Sequence, residues 1–150
     1  MSKIDIRKAK PNDIKDIIKL CELHANFEGV EYNVDGKEAK LSKCLFQENP
    51  VLNCIVAERN GILLGYATAT KELSTWDADY FLHMDCLYIL EQARGEKLGT
   101  RFMASIKGLA KQLHCSHIQW QTPDNNFGAI SFYKKCGATS KDKVRFFLSV

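Results

Sequence analysis

Residues 92–100 read QARGEKLGT, a stretch with two glycines and two cations that separates a strand-like run from a helix-like one. A helix starting here presents backbone N–H groups that lack intrahelical acceptors, and its dipole adds about half a positive charge. Such a terminus attracts anions. Gly95 and Gly99 permit close approach of the backbone to a ligand, and the Arg94 guanidinium suits a phosphate oxygen. An ordinary exposed turn ahead of a helix would read the same way. Neither GxxxxGK[ST] nor GxGxxG is present, so the two standard nucleotide fingerprints are excluded. A second chemical feature is Asp85, a carboxylate inside the apolar run YFLHMDCLYIL. Burial in an apolar strand disfavours the charged form, raises the pKa and makes a better proton acceptor. The alternative is a carboxylate satisfied by a cap or an ion pair at a strand kink. His83 shares the face of Asp85 in a regular strand, either to assist proton transfer or as a satisfied core histidine.

The elements that must position these residues follow from hydrophobic period. KIDIRKA alternates and predicts an opening strand, and Pro11 begins a helix with Ile14, Ile17, Ile18 and Cys21 on one face. A polar loop, EGVEYNVDG, precedes a second helix from Lys37 to about Phe46. VLNCIVAE and ILLGYATAT are strand-like runs joined at Asn60-Gly61, two residues that tolerate positive φ in a hairpin. After LSTWDAD, YFLHMDCLYIL is long and apolar enough for a central strand covered on both faces. Leu98, Phe102, Ile106, Leu109 and Leu113 mark a helix over 98–113. HIQWQT predicts a further strand, NNFGAISFYKKCG a helix closed by Gly137, and VRFFLSV a final strand. Hairpins followed by a strand–helix–strand unit predict an α/β chain of the α+β kind, with a mixed, mostly antiparallel sheet and helices on both faces.

Bulk properties narrow the function. The 150 residues suit a single domain, 1–150, and 45% apolar with 26% charged residues is ordinary globular composition. A net charge of +3, without a basic block, argues against a nucleic-acid partner. The charged N-terminal stretch and the absence of a long apolar run predict a cytoplasmic protein with no membrane partner. The six cysteines contain no CxxC pair and read as small buried hydrophobes, neither disulfides nor metal ligands.

Three ordered segments carry a family resemblance. The loop resembles the Arg/Gln-x-x-Gly-x-Gly/Ala pyrophosphate loop of the GNAT N-acetyltransferases, with Arg94, Leu98 and Gly99 in register and Lys97 in place of the first motif glycine. AISFYKKCGA (129–138) resembles the Ala-Ile-x-Phe-Tyr segment that closes their acetyl-CoA site, and YFLHMDCLYIL occupies the preceding strand position. STW ahead of that strand, the pattern Met84-Asp85-Cys86-Leu87-Tyr88-Ile89 and the QTPDNN segment are most similar to the diamine (spermidine/spermine) and thialysine acetyltransferase branch.

The resemblance implies the GNAT fold, acetyl-CoA as acyl donor with no metal, a small-molecule amine as acceptor and a homodimer. It places the cofactor against the backbone N–H groups of Leu87, Tyr88 and Ile89 and against Arg94, Gly95, Glu96, Lys97, Leu98, Gly99 and Thr100. Asn126 is a further cofactor contact, or else a helix cap. Tyr133 donates a proton to the departing thiolate, or else packs a helix face. Asp85 corresponds to the branch's carboxylate and takes a proton from the amine, of which only about one molecule in ~2,500 is neutral at pH 7. Glu28, Glu31, Trp76 and His83 join Asp85 as acceptor-binding candidates. The branch's second adjacent carboxylate is Cys86 here, which removes an attraction for a polycation of order 4 kcal/mol before desolvation and screening. Aminoglycosides and protein amines are therefore alternative acceptors, and an acyl-CoA-binding sensor without catalysis is the alternative class.

Overall fold

The computed structural model describes residues 2–150. The opening alternation forms β1 (Asp5–Lys8), and a 3-10 turn at Pro11–Asp13 leads into α1 (Ile14–Phe27). α2 spans Lys37–Phe46. β2 (Asn53–Arg59) and β3 (Ile62–Ser74) are joined at Asn60 and Gly61, whose φ values of 53° and 78° make the mirror-image turn that matches strand twist. β4 (Asp79–Ile89), α3 (Leu98–Gln112), β5 (Ile118–Gln119) and α4 (Phe127–Lys135) complete the order.

The strands lie in the order β1-β2-β3-β4-β5, antiparallel except for the parallel β4–β5 pair. One face is covered by α1 and α2, whose Ile14, Ile17, Leu20 and Leu45 cluster with Cys54, Val56, Leu63 and Tyr66. Alternation along β2 turns Ile55 and Ala57 the other way. On that face α3 crosses β1, β2 and β4, burying Leu98, Phe102, Met103, Ile106, Leu109 and Ala110. The mixed, mostly antiparallel sheet with helices on both faces is as expected. Arg7 fastens its edge through a two-toothed ion pair to Asp13 (2.7 and 3.0 Å) and a second to Glu58 (2.6 Å). That guanidinium holds the Asp13 carboxyl below the usual range.

Two compact units are present, one ending at Trp120 and one from Gln121 to Val150. In the second, α4 is capped by Asn126, whose Oδ1 accepts from the Ala129 N–H at 3.2 Å, and is closed by Gly137 at φ 90°. The strand expected at VRFFLSV is absent. Residues 144–150 carry no regular structure, and Phe146, Phe147 and Leu148 are exposed. Aromatic and β-branched residues favour a strand only through the neighbours they pack against, and no ladder receives these.

Candidate active site

β4 bonds to β3 along its whole length but to β5 only at Leu82 and His83. From Met84 to Ile89 one edge of a central strand is therefore open, and the backbone groups that alternate residues send to that side face no strand among the described residues. A strand edge of this kind pairs with an extended ligand. The close fit of β3 beneath it depends on Gly65, where a Cβ would stand 2.7 Å from the Tyr88 carbonyl oxygen.

Within this segment the register shifts. Ala69 pairs with Met84 and Thr68 with Cys86, so Asp85 is the extra residue of a bulge. The consequence corrects the desolvated carboxylate expected from the apolar run, because the bulge turns Asp85 out of the ladder and leaves it exposed. It also breaks the two-residue repeat on which the shared face with His83 rested. His83 Nδ1 lies 3.5 Å from Glu72 Oε1.

The open edge leads into residues 91–97 and the start of α3. Gly95 sits at φ 87° and Lys97 at 59°, the left-handed region that glycine occupies freely and lysine does not. A Cβ on Gly95 would meet nothing within 4 Å, so the loop stands open. No side chain caps the α3 N-terminus, which leaves the first N–H groups of the helix available to an anion. Leu98 is 1% exposed and anchors the helix in the core, so only its backbone is offered to the loop. Gly99 is half-buried and Thr100 exposed. Glu96, a carboxylate at the mouth of an anion site, is bound by Arg59, whose hydrogen bond holds it below its ordinary pKa. Arg94 donates from Nε to the Ile89 carbonyl (3.0 Å), and its guanidinium lies 4.8 Å from the Phe27 ring centroid and 5.8 Å from that of Tyr88. An open strand edge running into an uncapped helix start fits the amide-bearing arm and diphosphate of a coenzyme A thioester.

Beside the bulge lies a polar cluster that sequence reasoning missed. Tyr66, 1% exposed, places its hydroxyl 2.9 Å from His24 Nδ1, and Cys21 and Cys86 pack against the cluster that holds it. Burial pushes the Tyr66 phenol far up and the Cys86 thiol up to about 11, with the Asp85 charge adding to the latter. His24 stacks on Tyr88 at 5.1 Å and approaches Glu28. Of the other acceptor candidates, Glu31 is exposed on the loop after α1 and Trp76 is 99% exposed in the β3–β4 turn. In the second unit, Tyr133 lies on α4 beside Phe132, their rings 5.2 Å apart, while Asn126 spends its side-chain oxygen on the helix cap.

The acetyltransferase (GNAT) family matches residues 17–138, and the chain belongs to that family and is an N-acetyltransferase. Among its relatives, the mouse thialysine N-epsilon-acetyltransferase is 28% identical over 157 residues, covering 99% of this chain and 92% of the relative. The pig enzyme of the same name is 27% identical over 146 residues, covering 92% and 85%. The fold is that of aminoglycoside N-acetyltransferase AAC(6′)-Iy, solved in complex with CoA. Its TM-score is 0.85 at 16% identity, with 99% of this chain and 96% of that one covered.

Proposed function

We propose that the chain moves an acetyl group from acetyl-CoA to the primary amine of a small molecule of the thialysine or diamine kind, by direct transfer between two bound substrates. The observation that carries this reading is the open edge of β4 from Met84 to Ile89, which displays Asp85 at its bulge and ends at the uncapped start of α3. When bound, acetyl-CoA supplies the activated thioester. N–H groups of the Leu87–Ile89 segment hold its carbonyl, and those of residues 95–100 hold its diphosphate. Asp85 accepts a proton from the acceptor ammonium, and Tyr133 donates one to the leaving thiolate, whose conjugate acid needs only a positioned donor. The identity of Cys86 bears on the acceptor. A neutral thiol beside Asp85 supplies one negative charge where two carboxylates would suit a polycation, so an acceptor with a single ammonium near the reacting end is favoured. The names of the mouse and pig relatives support the same class.

Thiol release from acetyl-CoA across thialysine, spermidine, lysine and an aminoglycoside tests the assignment. Thialysine is expected to turn over fastest, and Asp85→Asn to lower kcat at least about a hundredfold with little change in the KM for acetyl-CoA. Tight acetyl-CoA binding without turnover on any amine would replace the enzyme by a sensor. Unchanged kcat in Asp85→Asn across the pH profile would remove Asp85 from the role of base.

A further inference from the structure

Arg94 is held at the corner where the open edge of β4 meets the loop before α3. Leu90 donates its N–H to the Leu64 carbonyl at 2.9 Å, one step beyond the Ile89–Gly65 pair. Bonded and unbonded pairs alternate along an antiparallel ladder, so Ile89 turns its own N–H and carbonyl away from β3 and toward the open edge. Arg94 Nε donates to that carbonyl at 3.0 Å. An extended ligand that pairs with the edge therefore finds the last acceptor engaged, and the group that follows meets the guanidinium.

A row of rings fixes the same guanidinium from the side of α1. Its central carbon lies 4.8 Å from the Phe27 ring centroid and 5.8 Å from that of Tyr88. The two rings are 6.3 Å apart and tilted by 54°. Tyr88 in turn stacks on His24 at 5.1 Å, and His24 Nδ1 is 2.9 Å from the hydroxyl of buried Tyr66. The row runs from the core to the loop, and Phe27 is its outermost ring. Phe27 is the last residue of α1 and is 57% exposed. One exposed phenylalanine is ordinary by itself. This one offers its face to a cation, and a cation within about 6 Å of a ring centroid is attracted by the ring quadrupole.

The donors of Arg94 divide accordingly. A guanidinium carries five N–H groups in one plane, and the one on Nε is engaged by Ile89. Among the described residues neither Nη atom has a hydrogen bond or ion pair. The paired N–H groups that remain match two oxygens of a phosphate. A free arginine side chain would have to be ordered by the ligand, whereas this one is ordered beforehand, by a carbonyl at one end of its plane and a ring across its face.

We propose that Phe27 is a positioning residue for the cofactor: it holds the Arg94 guanidinium at the end of the β4 edge so that the two Nη atoms meet the diphosphate. The proposal rests on the reading of the edge and loop as the acetyl-CoA site. It gives the end of α1 a part in cofactor binding through Arg94, with no contact of its own to the ligand. The effect belongs to the diphosphate alone, because the part of the ligand that pairs with the edge lies before Arg94.

The test is a double-mutant cycle on CoA binding, with pantetheine, which lacks the diphosphate and the nucleotide, as the second ligand. Titration calorimetry gives the Kd for CoA, and inhibition of thiol release gives the Ki for pantetheine. Arg94→Ala is expected to weaken CoA at least about tenfold. Phe27→Leu keeps an apolar cover but loses the π face, and should weaken CoA about three- to fivefold. Phe27→Trp keeps the face and should bind CoA within about twofold of wild type. In the Arg94→Ala background Phe27→Leu should have no further effect, and all variants should bind pantetheine as wild type does. Wild-type affinity for CoA in Phe27→Leu overturns the proposal. A loss that persists in the Arg94→Ala background also overturns it, and assigns Phe27 directly to the ligand. An equal loss for pantetheine overturns it in favour of a ring that shapes the strand edge. If Arg94→Ala itself binds CoA as tightly as wild type, the reading of the loop as the diphosphate site has failed first.

Discussion

The Tyr88 carbonyl oxygen stands 2.7 Å from the point where a side chain on Gly65 would begin. Real Cβ atoms do not approach backbone oxygen so closely, so Gly65→Ala must push β4 away from β3 at the segment that displays its open edge. An overpacked site of this kind costs about 1–3 kcal/mol. The variant is expected to lose roughly 2–12 °C in Tm, taking about 2–4 °C per kcal/mol for a chain of this length. Its KM for acetyl-CoA should rise as well, because the displaced backbone is the proposed cofactor edge. Gly108→Ala is the control: it lies on the exposed side of α3 with nothing within 4 Å and should be neutral or stabilising. Equal behaviour of the two variants would remove the steric argument.

Lys97 occupies a left-handed backbone at φ 59°, the position where the family loop has glycine. An L side chain there costs about 1–2 kcal/mol, part of which glycine forfeits through its freer unfolded chain. Lys97→Gly should therefore change stability by less than about 1 kcal/mol. Acetyl-CoA affinity is the informative readout. A solvated ammonium beside the diphosphate contributes up to about 1 kcal/mol, so Lys97→Gly should weaken binding by up to about fivefold, more at low salt than at high. Tighter binding in the variant would show that the lysine only strains the loop.

Arg59 and Glu96 stand 37 residues apart in sequence and form an ion pair at the edge of the same loop. Arg59 withdraws a carboxylate that would repel phosphate. Arg59→Ala is expected to raise the Kd for CoA by about three- to tenfold, and Arg59→Ala with Glu96→Ala to restore most of it. Titration calorimetry measures both. If the double variant binds as weakly as the single one, Arg59 acts directly on the ligand.

The sequence announced elements whose signal is local. Asn60-Gly61 specifies its turn by backbone tolerance alone, and Leu98, Phe102, Ile106 and Leu109 announce the buried face of α3 by spacing. The site was less legible wherever it depends on an interruption or a long-range meeting. A bulge leaves no mark on hydrophobic period, so the apolar run around Asp85 read as a buried strand although the carboxylate is exposed. His24 and Tyr66, 42 residues apart, meet only once α1 is laid on the sheet, and neither has a spacing that signals the other. The run at 144–150 failed for the complementary reason: its residue types favour a strand, and strand formation needs a partner that composition does not supply.

Cys86 follows Asp85 directly and precedes the backbone proposed to hold the thioester carbonyl, so it is placed as a nucleophile would be, and its ionisation decides whether it acts as one. Burial first, and the Asp85 charge after it, disfavour the thiolate and push the thiol up to about 11. At pH 8 about one molecule in a thousand is then ionised, compared with about one in four for an ordinary cysteine. Alkylation of Cys86 by iodoacetamide, followed by peptide mass spectrometry, should rise about tenfold per pH unit from 7 to 10 without levelling. An unperturbed thiol flattens above about pH 8.5. Asp85→Asn removes the secondary cause and should make Cys86 somewhat more reactive. A thiol so reluctant to ionise does not compete with an incoming amine for the acetyl group. Acid-quenched enzyme incubated with acetyl-CoA alone should therefore carry no acetyl at Cys86, and initial-velocity lines against the amine should intersect. An acetylated Cys86 with parallel lines would establish a two-step transfer through the thiol, with Asp85 acting on the cysteine in place of the amine.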